Sequence, residues 1–162
     1  MNLRKSQVLS KEIAGNASKY ESYREAWSRI KVAQENHFFL EAITIQESII
    51  SDRLISFLSR PTAANPITRN NYGRFPSFSQ LIKQWRKEFP DGLKFGLYLD
   101  LIDAVDKWRC MRNDAIHAIV KSELGETNQS IDYFLKKAKE TAEEGTNIAR
   151  EVCKWSQKTK KA

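Results

Sequence analysis

The residues from Lys107 to Lys121 read KWRCMRNDAIHAIVK, and they hold the side chains best suited to chemistry. His117 is one of only two histidines in the chain. Imidazole, with an ordinary pKa of about 6.5, is the side chain that exchanges protons near neutral pH. Arg112 adds a planar guanidinium able to grip two oxygens of one anion. Asn113 precedes His117 by four residues and so shares its border of a helix, close enough to hold the ring or a phosphate.

The position of Arg112 is unusual for a helix that packs. Advancing about 100° per residue from Leu101, the apolar stripe runs through Val105, Trp108, Ala115 and Ile119, and Arg112 falls within about 20° of its centre. A buried guanidinium without a partner carries a penalty of several kcal/mol, so a carboxylate must answer it or that part of the face must line a cleft or interface. Glu47 projects between Leu40, Ile43, Leu54 and Leu58 on an earlier helix and is a misfit of opposite sign. It is the expected partner, with Asp52 and Arg53 as alternatives on neighbouring faces. A structural ion pair, or an arginine snorkelling out of the stripe, is the plainer explanation. His117 lies about 140° around the helix from Arg112 and about 7.5 Å further along. A straight helix therefore does not aim both at one atom. Convergence needs a local distortion, an extended substrate, or two copies of the motif brought together in a symmetric dimer.

The elements that must position these residues are all helical. Glycine and proline are scarce and concentrated, and the segments between them carry apolar residues at threes and fours. The first helix is expected over Ser18–Gln34 with Tyr20, Tyr23, Trp27 and Ile30 on one face. The second begins at Asn36 as N-cap and is apolar nearly all round, through Phe38, Ile43, Ile50 and Leu58, so it should be the most buried. Residues 60–77 hold three of the four prolines and form a long basic loop. Arg60, Arg69, Arg74 and Tyr72 there suit a phosphate backbone, although a solvated excursion explains the segment as well. Ser77 and Gln80 make a capping box for a short helix carrying Leu81, Ile82 and Trp85, ended at Pro90-Asp91-Gly92. Trp85 reads as core and Tyr72 as a loop anchor. A helix from Leu93 to Ser122 carries the motif, with Leu97 and Met111 among its apolar residues. A last one covers Gln129–Ser156 with Ile131, Leu135, Ala142, Ile148 and Trp155 in a stripe. Four long helices and one short one make an all-α bundle.

Composition bounds the rest. A chain of 162 residues fits one domain, 1–162, ending in a basic tail over 157–162. No apolar run approaches the roughly 20 residues of a membrane span, and MNLRKSQVLSKEIAG has no apolar signal core, so a cytoplasmic protein with no membrane association is expected. Cys110 and Cys153 read as separate, partly buried small hydrophobes. Two histidines without an i, i+4 pairing argue against a metal site, and no glycine-rich phosphate loop is present, so no cofactor is expected. A net charge of +7 leans toward polyanionic partners, nucleic acid above all.

The stretch RNDAIH resembles the signature of the HEPN superfamily, named for higher eukaryotes and prokaryotes nucleotide-binding: an arginine, then four to six residues beginning with a polar one, then a histidine. Arg112, Asn113 and His117 fill those places, late in a helical chain and before a final amphipathic helix. The resemblance implies a bundle of four or five helices that dimerises and unites two motifs in one cleft. It also implies metal-independent endoribonuclease activity, as in toxins and phage-defence effectors, with RNA as substrate and in some members a nucleotidyltransferase-like antitoxin. Other members do not cleave and serve as nucleotide-binding or protein-interaction modules. In the cleaving case His117 moves protons, Arg112 stabilises the charge on phosphorus, Asn113 positions, and Glu47 supports Arg112. Arg109 and Lys121, one turn either side of the motif, and Arg74 in the loop are further candidates for contact with the RNA backbone.

Overall fold

The computed structural model describes the backbone of residues 3–118 and 131–162, and the side chains of residues 17–118 and 131–162. Five helices follow one another: α1 (Leu3–Glu35), α2 (Phe39–Leu58), α3 (Phe78–Glu88), α4 (Leu101–His117) and α5 (Ile131–Lys161). The all-α expectation of four long helices and one short one is met. No strand occurs among the described residues, where the only β-type pairing is an isolated bridge between Phe95 and Tyr98.

Helix α2 is the centre of the bundle, packing on α1, α3, α4 and α5. Ala42, Ile43, Ile50 and Leu54 are fully enclosed, as expected for a helix apolar nearly all round. Its start differs from the sequence reading. Asn36 does not cap α2; its side chain and its backbone N–H both bond back to the Val32 carbonyl and close α1. His37 then adopts φ 61°, while the N–H groups of His37 and Phe38 reach the carbonyls of Gln34 and Ala33. This is a Schellman termination, and it places a non-glycine residue in the left-handed region that usually selects glycine or asparagine. The second histidine thus turns the chain from α1 into α2.

Two further boundaries are corrected. Helix α4 starts at Leu101, not Leu93, because Asp100 is its N-cap and accepts from the N–H groups of Ile102 and Asp103. The residues between α3 and α4 form a loop with Gly92 and Gly96 at positive φ, and Leu97 stands fully exposed. The basic run at the end is no loose tail, since α5 continues to Lys161. Ser77 and Gln80 form the capping box expected of α3, and Trp85 beneath it is completely buried.

The long loop between α2 and α3 is anchored at several points. Ile67 is buried and bonds to the Leu58 carbonyl. Asn70 folds the tip by accepting from the N–H groups of Tyr72 and Arg74, and Gly73 supplies the positive φ of that turn. Tyr72 anchors nothing, being 87% exposed. Cys110 is exposed, not partly buried, whereas Cys153 is partly covered. Met111, Ile131 and Leu135, expected on apolar stripes, also face solvent.

Candidate functional site

Helix α4 is regular from Leu101 to His117, which removes local distortion as a way to bring Arg112 and His117 together. Arg112 rises between two enclosed residues of its own stripe, Trp108 and Ala115. Its side chain is 22% exposed, and its Nε and Nη2 both meet Oε2 of Glu47, itself 23% exposed. The two misfit charges inferred from the helical wheel therefore answer each other across α2 and α4. Nη1 donates to Oδ1 of Asn113. Asn113 thus steadies the guanidinium and is turned toward Arg112, not held against His117. Carboxylate and amide together fix the plane of Arg112, and charge-assisted bonds of this kind are stronger than neutral ones.

A buried amide beside Glu47 sets the height of this pair. Gln46 is fully enclosed, and its Nε2 donates to the Ala142 carbonyl and to Thr146 Oγ1 at 2.7 and 3.1 Å. Its Oε1 is buried without a partner. Opposite it, α5 carries Gly145, where an added Cβ would lie 2.7 Å from Gln46 Cδ and 2.9 Å from Trp108 Cζ2. The indole N–H of Trp108 meets the Thr141 carbonyl at 2.9 Å. Consecutive residues of α2 therefore lock onto different helices, Gln46 onto α5 and Glu47 onto α4. The sequence reading missed Gln46. The signal was a second polar residue, Gln46, directly beside Glu47 and among Ile43, Ile45, Ile49 and Ile50.

His117 closes α4 and is exposed, with no bond to Arg112. A cavity of about 210 Å³ opens beside it between α4 and α5, lined in part by Met111, Asp114, Ala115, Ala118, Tyr133 and Lys137. Neither Arg112 nor His117 lines it. Arg109 is engaged locally: its Nε donates to Asp106 at 2.8 Å, and that bond leads in holding its guanidinium charged. Arg74 is exposed on the loop beside Arg69, in the wall of a shallow cavity formed with Asn70 and Phe75. Lys121 lies outside the described residues. Of the candidates, then, the chain gathers Arg112, Asn113 and Glu47 into one group. His117 stays apart on the same helix.

No protein-family model matches the chain, and no curated protein or solved structure matches it either. What the site can do rests on its chemistry. The Arg112 guanidinium, held flat with Nε and Nη2 on Glu47 and Nη1 on Asn113, can meet an anion through the N–H groups that these bonds leave over. An exposed imidazole can exchange protons with solvent and with a substrate. Among the described residues no group of three His, Cys, Asp or Glu side chains is arranged to hold a metal. No helix there is long and apolar enough to cross a membrane.

Proposed function

We propose that the protein is a metal-independent endoribonuclease of HEPN type, a toxin or phage-defence effector that cuts RNA at a composite site between two copies of the chain. The observation that carries this reading is the Arg112 guanidinium, oriented by Glu47 and Asn113, on the same unbroken helix as a solvent-facing His117. With distortion of α4 removed, a second copy offers the simplest way to set one chain's imidazole against the other's guanidinium.

In the reaction the ribose 2′-OH attacks the adjacent phosphorus and the 5′-oxygen leaves. The products are a 2′,3′-cyclic phosphate and a 5′-OH. His117 takes the proton from the 2′-OH or gives one to the leaving oxygen, and Arg112 stabilises the charge that grows on the non-bridging oxygens. Asn113 and Glu47 are positioning residues acting through Arg112.

The second reading, a HEPN-like binding module without cleavage, is favoured by the same ion pair. Glu47 occupies two of the guanidinium nitrogens that would face a phosphate. Incubation of the full chain with total RNA in EDTA separates the two. The nuclease reading expects cleavage by the wild type and its loss in His117→Ala and Arg112→Lys proteins that keep their helicity by circular dichroism. Undiminished cutting by both variants overturns the assignment. An intact wild-type protein that cuts no RNA leaves the binding module as the better account.

A further inference from the structure

A second group of charged side chains lies where α1, α2 and α5 meet, away from the motif. Tyr23 of α1 gives its hydroxyl to Asp52 of α2, and Lys19 of α1 reaches the same carboxylate at 3.1 Å. Arg53, next to Asp52, lays its guanidinium over the Tyr23 ring, 4.1 Å from its centroid. The Nε of Arg53 is buried with no hydrogen-bond partner. One turn beyond Phe57, Arg60 leans back over that ring at 5.3 Å. Phe57 in turn packs on Trp155 with centroids 4.8 Å apart. The helices α2 and α5 run parallel, as the successive contacts of Gln46 with Ala142 and of Phe57 with Trp155 require. Arg60 and the last turn of α5, with Lys158, Lys160 and Lys161, therefore leave the bundle at the same end.

Lys160 faces Arg53, Lys19 and Arg60, with Asp52 as the opposing charge, and its ammonium is held below the ordinary lysine range by partial burial first and then by those three cations. Asp52 is already shared by Tyr23 and Lys19. Lys19 of α1, Arg53 of α2 and Arg60 just beyond α2 thus all act on Lys160 of α5, and the one opposing carboxylate is already committed. Two of the guanidinium groups rest on aromatic rings that limit their freedom. Such crowding is unfavourable in the free protein and is relieved by an anion.

We infer that Lys19, Arg53, Arg60 and Lys160 form a preorganised seat for the phosphate backbone of a nucleic acid, distinct from the Arg112 motif and built by the helical end that composition alone presents as a tail. The identity of the polyanion as RNA rests on the proposed function; the seat does not require that the RNA be cut. It would hold a substrate strand through its backbone and without regard to base, since cations on phosphates position and do not specify.

The test is binding of a labelled single-stranded RNA by fluorescence anisotropy across a salt series, in a His117→Ala background so that the probe stays whole. Lys160→Glu and Arg60→Glu should each weaken binding about tenfold and lower the salt slope by about 0.7 per lost phosphate contact. Lys83→Glu, the same charge change on the exposed face of α3, should leave both nearly unaltered. Equal losses in all three variants would show a net-charge effect only and overturn the inference. So would unchanged binding in Lys160→Glu and Arg60→Glu together. Binding that depends on this group when the wild type cuts nothing supports the seat while the nuclease reading fails. Cleavage by the wild type with binding indifferent to the group has the opposite meaning.

Discussion

Replacing Glu47 tests whether Arg112 is held for structure, for chemistry, or for both. Removing one partner of a buried ion pair costs about 3–5 kcal/mol, while an exposed pair contributes about 0–1 kcal/mol. With 22% and 23% of the two side chains exposed, the pair lies between these limits. Asn113 also retains one bond to the guanidinium when the carboxylate is gone. We therefore expect Glu47→Gln to destabilise the fold by about 1–2 kcal/mol, a fall in Tm of about 2–8 °C for a chain of this size. A double-mutant cycle with Arg112→Ala, read by urea unfolding, should return a coupling energy of about 1 kcal/mol or more. Arg112→Lys keeps the charge but loses the planar fork, so its own stability loss should be smaller than that of Arg112→Ala. RNA cleavage by both Arg112 variants should fall together. A coupling energy near zero would refute the claim that Glu47 orients Arg112. Full cleavage in Arg112→Lys would refute the claim that the planar guanidinium, beyond its charge, serves at the phosphate.

Gly145→Ala should destabilise by at least about 1–3 kcal/mol in urea unfolding, because its methyl must displace Gln46 and Trp108, both fully enclosed. Ser77→Ala removes the capping box of α3 and should cost about 1 kcal/mol by the same measurement. Burial works to raise the pKa of Asp100, but the Arg86 guanidinium and the backbone N–H groups of Leu93 and Asp103 outweigh it and hold the carboxyl below its ordinary value. Its contribution to stability is therefore complete above the ordinary carboxylate range, near pH 4, and is lost as pH falls through the lowered value. Asp100→Asn should flatten the acid limb of a stability–pH profile and leave the neutral region lower.

The features legible in the sequence were those fixed by local or facing chemistry. Apolar spacing located five helices, the Ser77–Gln80 spacing gave a capping box, and two stranded charges identified Glu47 and Arg112 as partners. The boundaries of α2 and α4 were harder because they depend on backbone conformation. A left-handed His37 carries no compositional mark, and Asn36 suits the end of one helix as well as the start of the next. Leu93, Leu97 and Leu101 are spaced for a helix, and only the positive φ of Gly92 and Gly96, with the bonds made by Asp100, interrupts it. The cation group at the end of α5 was hidden because its members are spread from Lys19 to Lys160 and meet only through tertiary packing.

The consecutive pair Gln46 and Glu47 links the motif to the rest of the bundle. Turning α2 by one residue would rotate it about 100° and break both attachments at once. The helix therefore has little freedom to adjust at one without disturbing the other. An anion that drew Arg112 away from Glu47 would free a carboxylate one residue from the amide that fastens α5. Occupancy at the motif would then be felt across the bundle as a loosening of α2, and hydrogen exchange at the backbone amides of α5 would report it.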